Sequence, residues 1–378
     1  MSTEINHIDK PNRLLSLDAL RGFDMIWILG AEGIFAALFV LTGWPVWQVF
    51  EQQFKHSQWH GFTFYDLIFP LFIFLSGVTL GISKMSLIGA DFEQRKPVYL
   101  KALRRLFLLL VLGVIYNHGW GKGVPPDLEK IRFASVLLRI GLAWFFCAVI
   151  VWHFTREKQV IIFVTLLIGY WIFQVYVPTP TGFSGALTID QSWNAWFDQN
   201  LLPGMIHRNK PADPEGILST IPAIANALGG ALAGAFLMQS KFSAYKKVFY
   251  LFAAGVVALV AAWLWSFILP FNKALWTSSF ALITIAYSLL LLAAFYLIFD
   301  VWKNPRLANF FAVIGVNAIA LYLLTSIFSW YRVVQSLFGS SLNAVPEAWQ
   351  PLLIVVALVM VQWSLAKFLS VKKIFFKV

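Results

Sequence analysis

Apolar runs of roughly 18–25 residues recur along the whole chain, separated by short polar segments and a few longer ones. A helix that crosses a hydrocarbon core of about 30 Å needs about 20 such residues. The pattern predicts ten spans, at about 16–42, 63–83, 103–117, 132–153, 159–177, 216–238, 248–269, 277–299, 307–328 and 351–369. Outer-membrane strands would be shorter and would alternate. The expected fold class is therefore all-α, a polytopic membrane protein of about ten transmembrane helices. No internal repeat, low-complexity tract or hydrophilic domain interrupts the pattern, so residues 1–378 read as one integral-membrane domain. The segments 43–62, 117–131, 178–215 and 329–350 read as long loops, which in a compact protein are usually functional.

Composition agrees. The chain is 59% hydrophobic and 12% charged, where soluble domains hold about 25% charged residues. Its 17 tryptophans suit aromatic belts at membrane interfaces. The net charge of +11 reads as topology, not as a nucleic-acid footprint. With the N-terminus inside, nineteen Lys and Arg fall on the cytoplasmic side and eight on the other, with Arg21 and Arg139 inside spans. That bias predicts cytoplasmic termini and puts His56 on the non-cytoplasmic face. The single cysteine, Cys147, lies in an apolar run, so neither an internal disulfide nor a cysteine metal cluster is expected. The first apolar run carries Asp18 and Arg21, unlike a secretory signal, and no cleavable leader is expected. The absence of any Asn-x-Ser/Thr acceptor weakly disfavours a glycosylated compartment.

Charged residues inside spans are expensive and are functional candidates by default. On an unbroken helix Asp18, Arg21 and Glu32 would share a face within about 60°. Asp18 and Arg21 can simply pair; Glu32 has no local basic partner. Asp66 opens the second span, with Pro70 one turn further in, where a proline frees a backbone carbonyl. His56 and His60 precede it, and histidine is the side chain best suited to take up a proton near neutrality. From spacing alone, a lone interfacial histidine is more often an amphipathic anchor than a base. Arg104 and Arg105 fit positive-inside anchoring, but Arg139 lies within a span and wants a carboxylate or a phosphate. No phosphate-binding glycine loop is present.

Five blocks go further. RLLSLDALRGFDMI (13–26), KHSQWHGFTFYDLIFPLFIFLSG (55–77), DLEKIRFASVLLRIG (127–141), DPEGILSTIPAI (213–224) and PFNKALWTSSF (270–280) stand in that order. Together they resemble the membrane acyltransferases related to heparan-α-glucosaminide N-acetyltransferase. That resemblance implies a transmembrane N-acetyltransferase. Cytoplasmic acetyl-CoA, as co-substrate, would donate acetyl to the amine of a glucosamine-type sugar or glycan on the far side, without a metal. The family's catalytic histidine matches His56 and its acidic partner matches Asp66. Where a readily compared member has Asn, this chain has Glu32, a third candidate at the reacting centre. Thioester aminolysis needs a base and a polar setting for the oxyanion, with His56 acting either as general base or as acetyl carrier. Arg21, Arg104, Arg105 and Arg139 would hold CoA phosphates. Trp59, Glu215, Asn272, Lys273 and Trp276 would contact the acceptor. The resemblance also implies a bacterial inner-membrane location, lipid contact and a possible homodimer. Two other readings compete. One is an O-acyltransferase of an envelope glycan. The other is an amino-sugar permease, although the paired halves common in transporters are not seen.

Overall fold

Small residues decide how closely these helices approach. The computed structural model describes residues 14–83, 85–119 and 123–376. Five of the charges that count toward orientation, Lys10, Arg13, Lys84, Lys122 and Lys377, lie outside the described residues. The helices in chain order are α1 (Leu15–Ile28), α2 (Ile34–Thr42), α3 (Val46–Gln53), α4 (Phe64–Ile82) and α5 (Phe92–His118). Then come α6 (Val136–His153), α7 (Arg156–Tyr176), α8 (Trp193–Leu201), α9 (Thr220–Leu237) and α10 (Ala244–Ser266). The last are α11 (Ser278–Phe295), α12 (Pro305–Val316), α13 (Ala318–Ile327), α14 (Trp330–Asn343) and α15 (Gln350–Val371). The described residues hold no strand, only an isolated bridge between Arg132 and Gly204.

Seven of these segments are long and apolar enough to cross a membrane, and nine are if each of two bent pairs counts as one span. The tenth expected span falls in α5, whose amino-terminal half is charged through Arg95, Lys96, Lys101, Arg104 and Arg105. Both bends have local causes. At Gly30 the backbone turns left-handed (φ 112°), which glycine alone adopts freely. α1 and the segment Ala31–Thr42 therefore meet at 63°. The single face expected for Asp18, Arg21 and Glu32 is broken there, because α1 ends before Glu32 is reached. Asn317 interrupts α12 and α13, which differ by 58°. Its Nδ2 donates to the Ile374 carbonyl and its Oδ1 accepts the Phe376 N–H, both at 3.1 Å. The carboxy-terminal segment thus docks on the bend. Elsewhere polar caps start the helices: Asp91 for α5, Ser135 for α6, Ser192 for α8 and Thr277 for α11 each accept a first-turn N–H. Three of the expected loops are not structureless, since they carry α3, α8 and α14.

α4 and α9 form the centre. Gly77 and Gly81 of α4 lie against the carbonyls of Ala227 and Ala231, and Gly230 and Gly234 of α9 against those of Phe74 and Val78. No Cβ fits at these four positions. Gly22 of α1 and Gly315 of α12 repeat the arrangement, against the Phe311 and Asp18 carbonyls. Between apolar helices in lipid there is little hydrophobic drive, so close backbone approach supplies the packing. α4 is mostly covered by its neighbours, whereas α10 and α15 are mostly bare.

A side chain forced into the α4–α9 seam should therefore break it. Gly77→Val is expected to destabilise by about 1–3 kcal/mol or more, because the obstacle is backbone. Gly169 of α7 has open space around it, and Gly169→Ala should be neutral or mildly stabilising. Thermal melting followed by size-exclusion chromatography compares the two; equal melting temperatures would refute the packing argument.

Candidate functional site

The first turn of α4 carries a carboxylate with no exposed surface, Asp66. Its Oδ2 accepts the N–H groups of Ser57 (3.2 Å) and Thr63 (3.3 Å). Its Oδ1 lies 2.8 Å from His56 Nδ1 and 3.4 Å from Lys273 Nζ. Pro70, lacking an N–H, leaves the Asp66 backbone carbonyl without its helical partner. Lys273 Nζ is also 3.1 Å from His56 Nδ1. One ring nitrogen cannot donate to Asp66 and accept from an ammonium at once. The shorter contact assigns the proton: Nδ1–H donates to Asp66, Lys273 turns to the same carboxylate, and Nε2 keeps its lone pair. The ring stands half-exposed, stacked obliquely on Tyr65 with centroids 4.8 Å apart. Lys273 sits in the loop between α10 and α11, and burial lowers the pKa of its ammonium while Asp66 opposes the shift.

These groups open on a cavity of about 270 Å³. His56, Tyr65, Tyr116, Glu215, Lys273 and Tyr322 form its polar wall, and Met25, Ile28, Ile68, Phe72 and Ile140 are among its apolar ones. Tyr116 of α5 and Tyr322 of α13 stack in parallel, 4.2 Å apart at 6°. Glu215 is presented by a loop that Arg132 grips: Nε and Nη2 bind Asp213 (3.1 and 2.7 Å), and Nη2 also reaches Glu215 Oε2 (2.6 Å). Arg132 holds the Asp213 carboxyl below its ordinary range. Asp198 of α8 braces the same loop, accepting the N–H groups of Asp213 (2.9 Å) and Ile217 (3.0 Å). Burial pushes Asp198 up to about 6.

The other expected site residues are placed as follows. Glu32 lies beyond the bend, within electrostatic reach of Tyr65, and makes no hydrogen bond to His56 or Asp66 among the described residues. His60 lies with its Nδ1 3.4 Å from Asn272 Nδ2, and partial burial lowers its pKa. Asn272 is fully buried and builds its own turn, Oδ1 accepting the Leu275 N–H at 2.8 Å. Trp276 has no exposed surface: its Nε1 donates to Asn226 Oδ1 (2.9 Å) and Phe69 packs on it, so it presents no face to an acceptor. Trp59 Nε1 is taken by the Leu187 carbonyl. Arg21 pairs with Asp18 at 3.3 Å and lies within electrostatic range of Arg105, which stacks over Trp144. Arg104 points outward. Arg139 does not join them: it is buried against Trp276 and donates to the Gly216 carbonyl and to Ser219. Sequence reasoning missed Tyr65, Tyr116, Tyr322, Arg132, Asp198 and Asp213. Several lie in or next to the five motif blocks, where they were the available signal.

Fold and site together define an all-helical integral membrane protein with a polar-walled cavity between its helices. No protein-family model matches the chain. It is similar to heparan-alpha-glucosaminide N-acetyltransferase from Homo sapiens, 27% identical over 373 residues, covering 85% of this chain and 54% of that protein. The Mus musculus protein of the same name is 26% identical over 364 residues, covering 82% and 53%. The chain spans about half the length of these curated relatives, and the two matches support a family-level relationship to them.

Asp198 gives a pH test. Its raised pKa means that the fold favours the protonated form. The stability it contributes is complete below its ordinary value near 4 and is lost as pH rises through about 6. The melting temperature of the wild type minus that of Asp198→Asn should therefore fall between about pH 4 and pH 6 and level off above. A difference that stays constant across this window would show that Asp198 does not titrate there.

Proposed function

We propose that this protein is a transmembrane N-acetyltransferase that moves acetyl from acetyl-CoA to the amine of a glucosamine-type acceptor. The observation that carries the reading is the His56–Asp66 pair, set at a cavity it shares with Lys273 and Glu215. The similarity to heparan-alpha-glucosaminide N-acetyltransferases supports the choice of reaction.

In this reading the acceptor amine attacks the thioester carbonyl in the cavity. His56 Nε2 takes the amine proton, while Asp66 fixes the tautomer through Nδ1. Lys273 stands beside the reacting centre as a donor to the oxyanion. The carbon–sulfur bond then breaks, the His56 imidazolium returns the proton to the departing sulfur, and thiol and amide remain. Glu215, held by Arg132, accepts hydrogen bonds from the sugar. Arg21 of α1, beside Thr79 of α4, and Arg105 of α5 bind donor phosphates. The arm of the donor runs from them to the cavity, seven residues along α1 from Arg21 to Ile28, or about 10 Å. The His56 end faces away from the cytoplasm.

His56→Ala should cut acetyl transfer by about 10²–10⁴-fold while acetyl-CoA still binds. Asp66→Asn should fall between this variant and wild type, and His60→Ala should cost much less. The assay is turnover at saturating donor and amino sugar. Near-normal activity of His56→Ala in folded protein would remove the proposed base. Uptake of the sugar without acetylation would favour a permease instead.

Sidedness has its own test. Gln52 in α3 and Ser243 before α10 are both exposed, and the native Cys147 is buried. In intact cells an impermeant thiol reagent should label Gln52→Cys and spare Ser243→Cys. The reverse pattern would invert the protein in the membrane.

A further inference from the structure

Asp24 of α1 is buried to 1% exposure, and its Oδ2 has no hydrogen-bond partner among the described residues. A carboxyl in a membrane helix is costly unless something meets it, so its surroundings matter.

Its neighbours on the same face of α1, Arg21 and Ile28, both look toward α4. At one end Arg21 Nη2 donates to Thr79 Oγ1 at 3.3 Å. At the other, Met25 and Ile28 of α1 line the cavity with Ile68 and Phe72 of α4. The two helices therefore run antiparallel. Three residues along from Arg21 is Asp24; three residues back from Thr79 is Ser76, also buried. The Ser76 hydroxyl is already donated to the Ile73 carbonyl (2.6 Å), so it has no proton to offer. One more turn reaches Ile28 and Phe72. On the helix, Asp24 lies within about 60° of both Arg21 and Ile28, about 5 Å along from the first and about 6 Å short of the second. It is a polar group between a cationic end and a cavity whose near walls are Met25, Ile28, Ile68 and Phe72.

We infer that Asp24 is a binding residue for a secondary amide in the arm of the thioester donor. This rests on the donor reading proposed above. An arm with amides passing an apolar seam needs a partner there, since an unmet amide is penalised like any buried polar group. A carboxyl suits either half of the amide: as an acid it donates to the carbonyl, and as a carboxylate it accepts the N–H.

The experiment compares two ligands on the full-length purified protein by calorimetry: CoA, and its adenosine bisphosphate half, which lacks the arm. Asp24→Leu should weaken CoA by about tenfold and leave the bisphosphate unchanged. Asp24→Asn, which keeps a donor and an acceptor, should bind CoA within about threefold of wild type. The inference is overturned if Asp24→Leu binds CoA as tightly as wild type. It is equally overturned if Asp24→Leu loses both ligands alike at an unchanged melting temperature, or if Asp24→Asn is as impaired as Asp24→Leu. Wild-type protein that binds neither ligand overturns the donor reading itself, before any variant is compared. Wild-type protein that binds CoA with the expected variant pattern but transfers no acetyl sustains the Asp24 site and refutes only the reaction.

Discussion

A carboxylate with no exposed surface must be surrounded by donors, and Asp66 has four besides the Thr63 hydroxyl, which stands 3.1 Å from its Oδ2. Two are backbone N–H groups of the segment leading into α4, one is the His56 ring and one is the Lys273 ammonium. Removing one partner of a buried charged pair typically costs about 3–5 kcal/mol, because the other charge is left uncompensated. The same carboxylate thus joins α4 and the segment leading into it to the loop before α11, which is far away in sequence. It also fixes which ring nitrogen of His56 is committed and which is available. The chemistry proposed for this protein depends on that division.

What holds the carboxylate still is backbone packed on backbone. Four glycines in the α4–α9 seam let the helices approach until carbonyls meet where side chains would otherwise stand. Such a seam has few ways to slide, since a shift of one residue would put a side chain where only a glycine fits. α4 therefore carries Asp66, Ile68 and Phe72 on a rail, and the cavity they border inherits that rigidity. The second glycine pair, Gly22 with Gly315, does the same for α1 and α12. The outer helices α10 and α15 are mostly bare, although Gly255 lets α10 pack closely on Leu290 and the Ala286 carbonyl of α11.

Hydropathy made the helices legible because crossing a membrane demands a long apolar run, and little else produces one. It did not make the bends legible. Gly30 and Asn317 each sit inside an apolar stretch, and only the local backbone and the docking of residues 374–376 reveal a break there. Among charged residues, Asp18 and Arg21 are close in sequence and their pairing was readable. Arg132 and Asp213 are 81 residues apart, and nothing in the spacing links them. Trp276 illustrates the opposite failure. A tryptophan in a polar loop suggests an exposed platform for a sugar, yet the loop folds inward and Asn226 takes its only donor. Hydropathy reports how much of a segment is apolar, not which neighbour a given side chain meets.

Arg139 is the case where that limit matters most. As a cation in a span it suggested a phosphate ligand; it also has a structural use, although its Nε and Nη1 find no hydrogen-bond partner among the described residues. Its guanidinium lies 4.8 Å from the Trp276 ring centroid, a cation–π contact worth more in a desolvated site than at a surface. Its Nη2 reaches the Gly216 carbonyl at 3.1 Å. Trp276 belongs to the loop that supplies Lys273, and Gly216 follows Glu215. One side chain from α6 therefore ties together the two loops that bring opposite charges to the cavity. A lysine could not do both, because a compact ammonium lacks the flat face that stacks and the separate N–H that reaches past it. Arg139 thus helps to place the polar wall, alongside Arg132 on Glu215 and Asp66 on Lys273, through neighbours of the two charged residues.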